Sequence, residues 1–244
     1  MDFTIRIAGV NIGVNSIYNE VYTLCHDYIT NGAPDIIVSV SSGDIAHERM
    51  INLHESHIEG NVFVDYPDSY LETLAVYRKI AELMLDYDTF LMHGAVVAVK
   101  DSAWLFTAPS GTGKTTHIRL WLDNIPESFV VNGDKPLIHI GHDITVYGTP
   151  WAGKEGMQKN IGVKLCGIVI LERGIVNHIE PVSFSWVLPT LIGQRFRPNS
   201  KKELEKSLKL IKELGRRIPF YRLQCNMLPE AALTAYKKLC GDIG

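Results

Sequence analysis

Cysteine is scarce and scattered in this chain. Its four residues, Cys25, Cys166, Cys225 and Cys240, include no CxxC pair, which argues against a disulfide framework and against a structural zinc site. A dominant charge is missing too. The 24 Lys and Arg nearly balance the 27 Asp and Glu, for a formal net charge of −3, so no global basic field draws the chain to nucleic acid or a membrane surface. No apolar run is long enough to span a bilayer. The opening Met1-Asp-Phe-Thr-Ile-Arg6 has neither the basic start nor the apolar stretch of a secretory signal. Internal repeats, low-complexity segments, a GxSxG elbow and a GxGxxG fingerprint are all absent. The expectation is a cytoplasmic protein with reduced thiols and with neither nucleic acid nor membrane as partner; a homo-oligomer stays open.

What is present is an ordinary globular composition, 46% apolar and 21% charged over 244 residues. That suffices for one good-sized α/β domain, or for a core domain with a small appendage. Alternation over the first fifteen residues predicts a strand, bent or folded into a hairpin at Gly9 and Gly13. Ser16–Ile29 reads as a helix, and Asp35–Val40 and Asn61–Val64 as strands. The polar, histidine-bearing stretch between those strands shows no pattern and is read as a loop; His47, His54, His57 and Glu55 fit no zinc spacing. Asp68–Leu85 carries the apolar stripe of a helix. From there the pattern turns β-rich: Phe90–Val99, a turn at Lys100-Asp-Ser102, then Trp104–Thr107. A helix at Lys114–Asp123 follows, and then strands at Phe129–Val131, Leu137–Ile140, Ile144–Tyr147 and Cys166–Leu171. His139 and His142 flank a turn. The last third reads as helical, at Trp186–Arg195, Lys201–Leu214 and Pro229–Leu239. The boundary expected is near residue 88, with a small N-terminal α+β appendage (1–88) and a catalytic core (89–244).

The chemistry-bearing segment is Ala108-Pro-Ser-Gly-Thr-Gly-Lys-Thr115, set between a strand and a helix. Glycines let successive backbone N–H groups turn inward, and a helix N-terminus adds its positive end. The pattern makes Pro109, Ser110, Gly111, Thr112, Gly113, Lys114, Thr115 and Thr116 candidate nucleotide-binding residues. In it, Lys114 is a charge for the β- and γ-phosphates and Thr115 a hydroxyl ligand for Mg²⁺. Ala108 stands where GxxxxGK[ST] has its first glycine. Such loops are usually served by an acid at the end of a later strand, and Asp134, in Asn132-Gly-Asp-Lys-Pro136, is the candidate; read plainly, it is a turn before a proline. Arg173 ends a strand and is a candidate for neutralising a phosphate or an anionic acceptor, as are Arg195 and Arg197.

His93-Gly-Ala95, Ser110-Gly-Thr-Gly-Lys-Thr-Thr116 and Asn132-Gly-Asp134 together resemble the catalytic core of HPr kinase/phosphorylase and its relatives, over roughly residues 90–175. Tyr147-Gly-Thr-Pro-Trp151, Gly153-Lys-Glu155 and Leu171-Glu-Arg173 are similar to short bacterial kinase-like proteins of that group. The resemblance implies an α/β phosphoenolpyruvate-carboxykinase-like fold with a mixed β-sheet and a helical C-terminus, and use of ATP and Mg²⁺. It implies that Asp134 ligates metal or takes the acceptor's proton, with His93 beside it. HPr kinase carries two adjacent aspartates where this chain has Gly133-Asp134. It also carries an acidic-arginine-glycine signature that Lys154-Glu155-Gly156 matches, making Lys154 a stand-in for arginine and Glu155 a candidate metal ligand. The activity implied is transfer of a γ-phosphate to a hydroxyl, a serine of a peptide or protein or a small-molecule acceptor. Carboxykinase chemistry is a further enzymatic reading, and a nucleotide-dependent peptide-binding protein with little turnover is an alternative of another class.

Overall fold

The computed structural model describes residues 1–60, 62–196 and 200–241. The chain divides into two compact units, Met1–Met84 and Leu85–Gly244.

In the first unit, β1 (Asp2–Ile7) and β2 (Val10–Asn15) form an antiparallel hairpin. Its two-residue loop, Ala8-Gly9, has positive φ at both positions (50° and 82°), the geometry that matches the twist of paired strands. The segment expected as one helix from Ser16 is shorter: α1 (Asn19–Leu24) followed by a 3₁₀ turn at His26–Tyr28. β3 (Ile36–Ser39) then adds parallel to β2. The polar stretch read as a loop is instead an 18-residue helix, α2 (Ser42–Glu59). Ser41 and Asp44 close a reciprocal capping box at its start and Gly60, at φ 68°, ends it. Only Ile45 among its apolar side chains is fully buried, which is why no hydrophobic periodicity announced it. The strand expected at Asn61–Val64 does not form at 62–64, and Asn61 lies outside the described residues. α3 (Asp68–Met84) buries Leu71, Ala75, Val76, Ile80 and Met84 along one face.

The second unit opens with a 3₁₀ turn at Leu85–Tyr87. Next come β4 (Thr89–Leu91), β5 (Ala95–Val99), β6 (Ser102–Thr107), α4 (Lys114–Asn124), β7 (Ser128–Asn132), β8 (Leu137–Ile140) and β9 (Ile144–Tyr147). After these come β10 (Gly162–Arg173), β11 (His178–Val182), α5 (Phe184–Gln194), α6 (Lys201–Arg217), β12 (Phe220–Cys225) and α7 (Pro229–Gly241). The last third is therefore not wholly helical: β11 and β12 pair antiparallel, and β12 joins the sheet. The sheet is mixed. Its main path runs β4-β8-β9-β10-β6-β5-β7, and β12 runs parallel to β10. β10 is long enough to serve three neighbours. Gly162–Lys164 pairs with β9 and Ile168–Arg173 with β12, while β6 takes its other edge.

Side chains alternate across this sheet as the strand period of two requires. Ala103 and Leu105 of β6 and Val96 and Ala98 of β5 face a core completed by Val187 and Leu191 of α5 and Leu210, Ile211 and Leu214 of α6. Trp104 and Phe106, with Ala95 and Val97, face the opposite core, closed by Ile118 and Trp121 of α4 and Ala232, Ala235 and Leu239 of α7. Helices thus cover both faces, so these strands read as almost continuous apolar runs.

Gly148, just beyond β9, shows how tightly backbone crosses backbone here. A Cβ at this position would stand 2.0 Å from the Lys159 carbonyl oxygen and 2.5 Å from that of Val131. Gly148→Ala is expected to cost at least about 2 kcal/mol, seen as a fall of several degrees in the thermal midpoint. Gly193→Ala, inside α5 where a Cβ meets nothing within 4 Å, leaves the midpoint unchanged or raises it through helix propensity.

Candidate functional site

Strand directions bring the site together. β5 lies between β6 and β7 and is antiparallel to both, so the chain leaving β6, the chain leaving β7 and the chain entering β5 share one edge of the sheet. Parallel β10 ends at that edge as well. The glycine loop, the Asn132–Lys135 turn, His93 and Arg173 arrive there from four separate strands.

The loop leaves β6 through buried Ala108 and reaches α4 through exposed Pro109, Ser110 and Gly111. Ala108 is fully enclosed in the core beside Phe106 and Ile118, so the methyl in place of glycine is used in packing. Gly111 and Gly113 have φ of 74° and 121°, conformations that favour glycine, and a Cβ on either would meet only open space. The Thr112 backbone N–H and hydroxyl both donate to the Pro109 carbonyl, at 3.3 and 2.8 Å. Thr115 and Thr116 follow in the first turn of α4. The Lys114 ammonium donates to the Ala108 carbonyl at 2.9 Å. Burial pulls its pKa below the usual lysine range; the Asp134 carboxylate partly opposes this, and Lys135 adds to it.

Asp134 is the charged centre. Its side chain is 20% exposed; His93 Nε2 lies 3.0 Å from Oδ1, and the Lys135 ammonium pairs with Oδ2. Burial by itself would raise its pKa, but the His93 hydrogen bond and the Lys135 charge outweigh burial and hold the carboxyl well below its usual range. The turn that carries it is built on Asn132, which is wholly buried. Asn132 Oδ1 accepts from the backbone N–H groups of Asp134 (2.9 Å) and Lys135 (2.7 Å). Its Nδ2 donates to the Thr149 carbonyl (3.0 Å) and hydroxyl oxygen (3.1 Å), and that hydroxyl donates to the Lys135 carbonyl at 2.8 Å. His93 is fixed through its backbone: its N–H donates to the Gln194 carbonyl at 2.7 Å, and its carbonyl accepts from the buried Thr107 hydroxyl at 2.8 Å.

The other expected residues take varied positions. The Arg173 guanidinium donates to the Gly111 carbonyl at 2.6 Å and to that of Thr112 at 3.3 Å. It therefore holds the outside of the loop. Lys154 and Glu155 occupy an exposed turn whose Gly153 approaches the Asp134 side chain, with a Cβ position 3.1 Å from Asp134 Cβ. Lys154 is solvent-facing, and the Glu155 carboxylate pairs with Arg119 of α4. Arg195 donates to the Phe196 carbonyl, and Arg197 lies outside the described residues. Sequence reasoning did not give Lys135 a role, nor Asn132 and Thr149; the asparagine two residues before an acid in a turn was the available signal.

Among the described residues no three His, Cys, Asp or Glu side chains converge as a metal-binding group. His47, His54 and His57 lie on α2. Mg²⁺ does not need such a group, since it commonly takes one or two protein oxygens together with phosphates and water. The hard oxygen donors of Asp134 and Thr115 fit that requirement. No helix among the described residues is long and apolar enough to cross a membrane.

No family model and no curated protein matches the chain. Among solved structures, the HPr(Ser) kinase/phosphatase from Coxiella burnetii is similar at a TM-score of 0.37 and 10% identity, over 63% of this chain and 99% of that chain. This is a distant likeness of fold.

Two measurements probe the site's framework. Asn132→Ala strands two N–H groups in a buried turn and is expected to lower stability by about 2–4 kcal/mol; Thr149→Val is expected to do part of the same damage, while Thr149→Ser, which keeps the hydroxyl, is expected to restore it. The second concerns His117 of α4, whose Nε2 accepts from Trp121 Nε1 at 3.0 Å. Burial pushes its pKa from 6.5 down to about 4. The folded chain refuses a proton that the unfolded chain accepts, so stability falls as pH drops from 6.5 to 4, by roughly 3 kcal/mol in full. Asp134 acts in a lower window: its depressed pKa gives stability that is lost only as pH falls below about 3.8. Denaturant midpoints of His117→Gln against pH should lack the upper loss and keep the lower one.

Proposed function

We propose that the glycine loop binds a nucleoside triphosphate with Mg²⁺ and that the protein transfers its γ-phosphate to a hydroxyl, a serine side chain of a peptide or protein being the acceptor of choice. The observation that carries this reading is the meeting of a helix-capping glycine loop, Lys114 and the Asp134–His93 pair at one edge of the sheet. Ligands of α/β sheets bind beyond the carboxyl ends of the strands, and this edge receives those of β6, β7 and β10. The motif resemblance around His93, Ser110–Thr116 and Asn132–Asp134 supports it.

In this reading the loop N–H groups and the positive end of α4 receive the phosphate oxygens. Lys114 leaves the Ala108 carbonyl for the β- and γ-phosphates, and Arg173 keeps the loop carbonyls turned away from the anion. Thr115 and Asp134 would hold Mg²⁺, which supplies charge neutralisation to the phosphates. Glu155, tied to Arg119, and exposed Lys154 stand further out, on the turn over Asp134. The acceptor oxygen bonds to the γ-phosphorus as the bond from that phosphorus to the β–γ bridging oxygen breaks. The nucleoside diphosphate leaves with that oxygen, and the hydroxyl proton passes to the Asp134–His93 pair. A carboxylate that is hydrogen-bonded to His93 and would also hold the metal is a weak base. Its part is therefore to orient the hydroxyl, with proton transfer late, as suits a loose transition state.

The test is diphosphate release from ATP with Mg²⁺, measured against serine-containing peptides, small hydroxylated acceptors and water alone. Asp134→Asn is expected to bind nucleotide within about tenfold of the wild type and to lose at least about a hundredfold in turnover. Lys114→Ala is expected to lose nucleotide affinity. Unchanged turnover in Asp134→Asn contradicts the catalytic assignment. Saturable binding with no diphosphate release under any condition favours a nucleotide-dependent peptide-binding protein.

A further inference from the structure

Two ammonium groups, Lys114 and Lys135, bear on a single carboxylate at this site. Asp134 is within the field of both, His93 takes one of its oxygens and Lys135 takes the other. The nearest other expected acid, Glu155, is committed to Arg119. The two ammonium groups thus outnumber the one carboxylate, and Lys135 occupies its Oδ2. The Lys135 backbone cannot move aside, because its N–H is held by Asn132 and its carbonyl by Thr149, and Pro136 restricts the next φ. The side chain, 37% exposed, reaches the carboxylate from this fixed backbone.

We propose that Lys135 is an internal counter-ion that occupies the metal position on Asp134 while the loop is empty and moves to the triphosphate when the metal–nucleotide complex enters. This rests on the nucleotide reading above and adds to it a rule of order. A buried carboxylate without a cation is costly, so the lysine holds the site together in the absence of ligand. A bare divalent ion must evict that lysine into the field of Lys114 and binds weakly. A triphosphate gives the displaced ammonium a new partner, so metal and nucleotide enter together. Lys135 thereby discriminates against free metal and against nucleotide without metal.

The experiment measures Mn²⁺ binding to the full chain, with and without a non-hydrolysable ATP analogue, from the electron paramagnetic resonance signal of free Mn²⁺. Without nucleotide, Lys135→Met is expected to bind Mn²⁺ about tenfold more tightly than the wild type, within the usual range of coupling between sites. Adding Asp134→Asn should abolish the gain, and Lys135→Arg should behave as the wild type. With the analogue present, the nucleotide's enhancement of Mn²⁺ affinity should shrink in Lys135→Met. Lys135→Gln, of similar length and neutral, serves as the second variant should the methionine perturb folding. Equal Mn²⁺ affinity in wild type, Lys135→Met and Lys135→Gln overturns the proposal, even where all three bind the analogue. Absence of analogue binding to the wild type overturns the nucleotide reading itself, and is separately visible.

Discussion

A carboxylate four-fifths buried at the end of a strand sets the terms for everything around it. Asp134 cannot stay ionised in that position without compensation, and the His93 hydrogen bond and the Lys135 ammonium are placed to supply it. Each of these must in turn be held, or the charge cluster would loosen. His93 is fixed through its own N–H and carbonyl, and Asp134 and Lys135 are fixed by the amide of Asn132. Since Asn132 is itself buried, its amide must be matched on both sides, and Thr149 completes the match. One charge thus accounts for a chain of buried polar contacts from β5 to the turn after β9. Networks of this kind stabilise only when every member is satisfied.

The sheet gives that cluster its neighbour. Because β5 runs against both β6 and β7, the entry to β5 and the exits of β6 and β7 fall side by side, and the charge lies next to the glycine loop without any long connection. The end of β10 brings Arg173 to the loop from the other flank. Its guanidinium takes up the Gly111 and Thr112 carbonyls, oxygens that would otherwise repel an anion at the helix N-terminus. The apolar pattern of these strands follows from the same arrangement, since helices cover both faces and each strand must be apolar on both sides.

Much of this was legible in the residues. The loop between Thr107 and Lys114, the helix it caps and the strand ending near Asn132 all follow from glycine placement and apolar runs, because local chemistry and tertiary position agree there. What stayed hidden has physical causes. α2 buries one fully enclosed apolar side chain, so periodicity was silent, although Ser41-Ser-Gly-Asp44 carried a capping signal. β11 and β12 are short, and the pairing of β11 with β12 and of β12 with β10 is a long-range fact that no window of sequence contains. Val62 to Val64 has strand-forming residues but pairs with no strand among the described residues, and exposure of Val62 at 89% shows the propensity overruled. Lys135 looked like a turn lysine because its partner is the residue beside it, and nothing in spacing distinguishes a side chain that folds back from one in solvent.

The central claim is that the edge formed by the loop, the Asn132 turn and His93 receives a metal–triphosphate. Amide hydrogen exchange, followed residue by residue with and without Mg²⁺ and a non-hydrolysable ATP analogue, tests it most directly. The account predicts new protection confined to Gly111–Thr116 and the Asp134–Lys135 turn, dependent on both ligands together. Unchanged exchange at those amides under saturating ligand, or protection centred elsewhere in the chain, would contradict it.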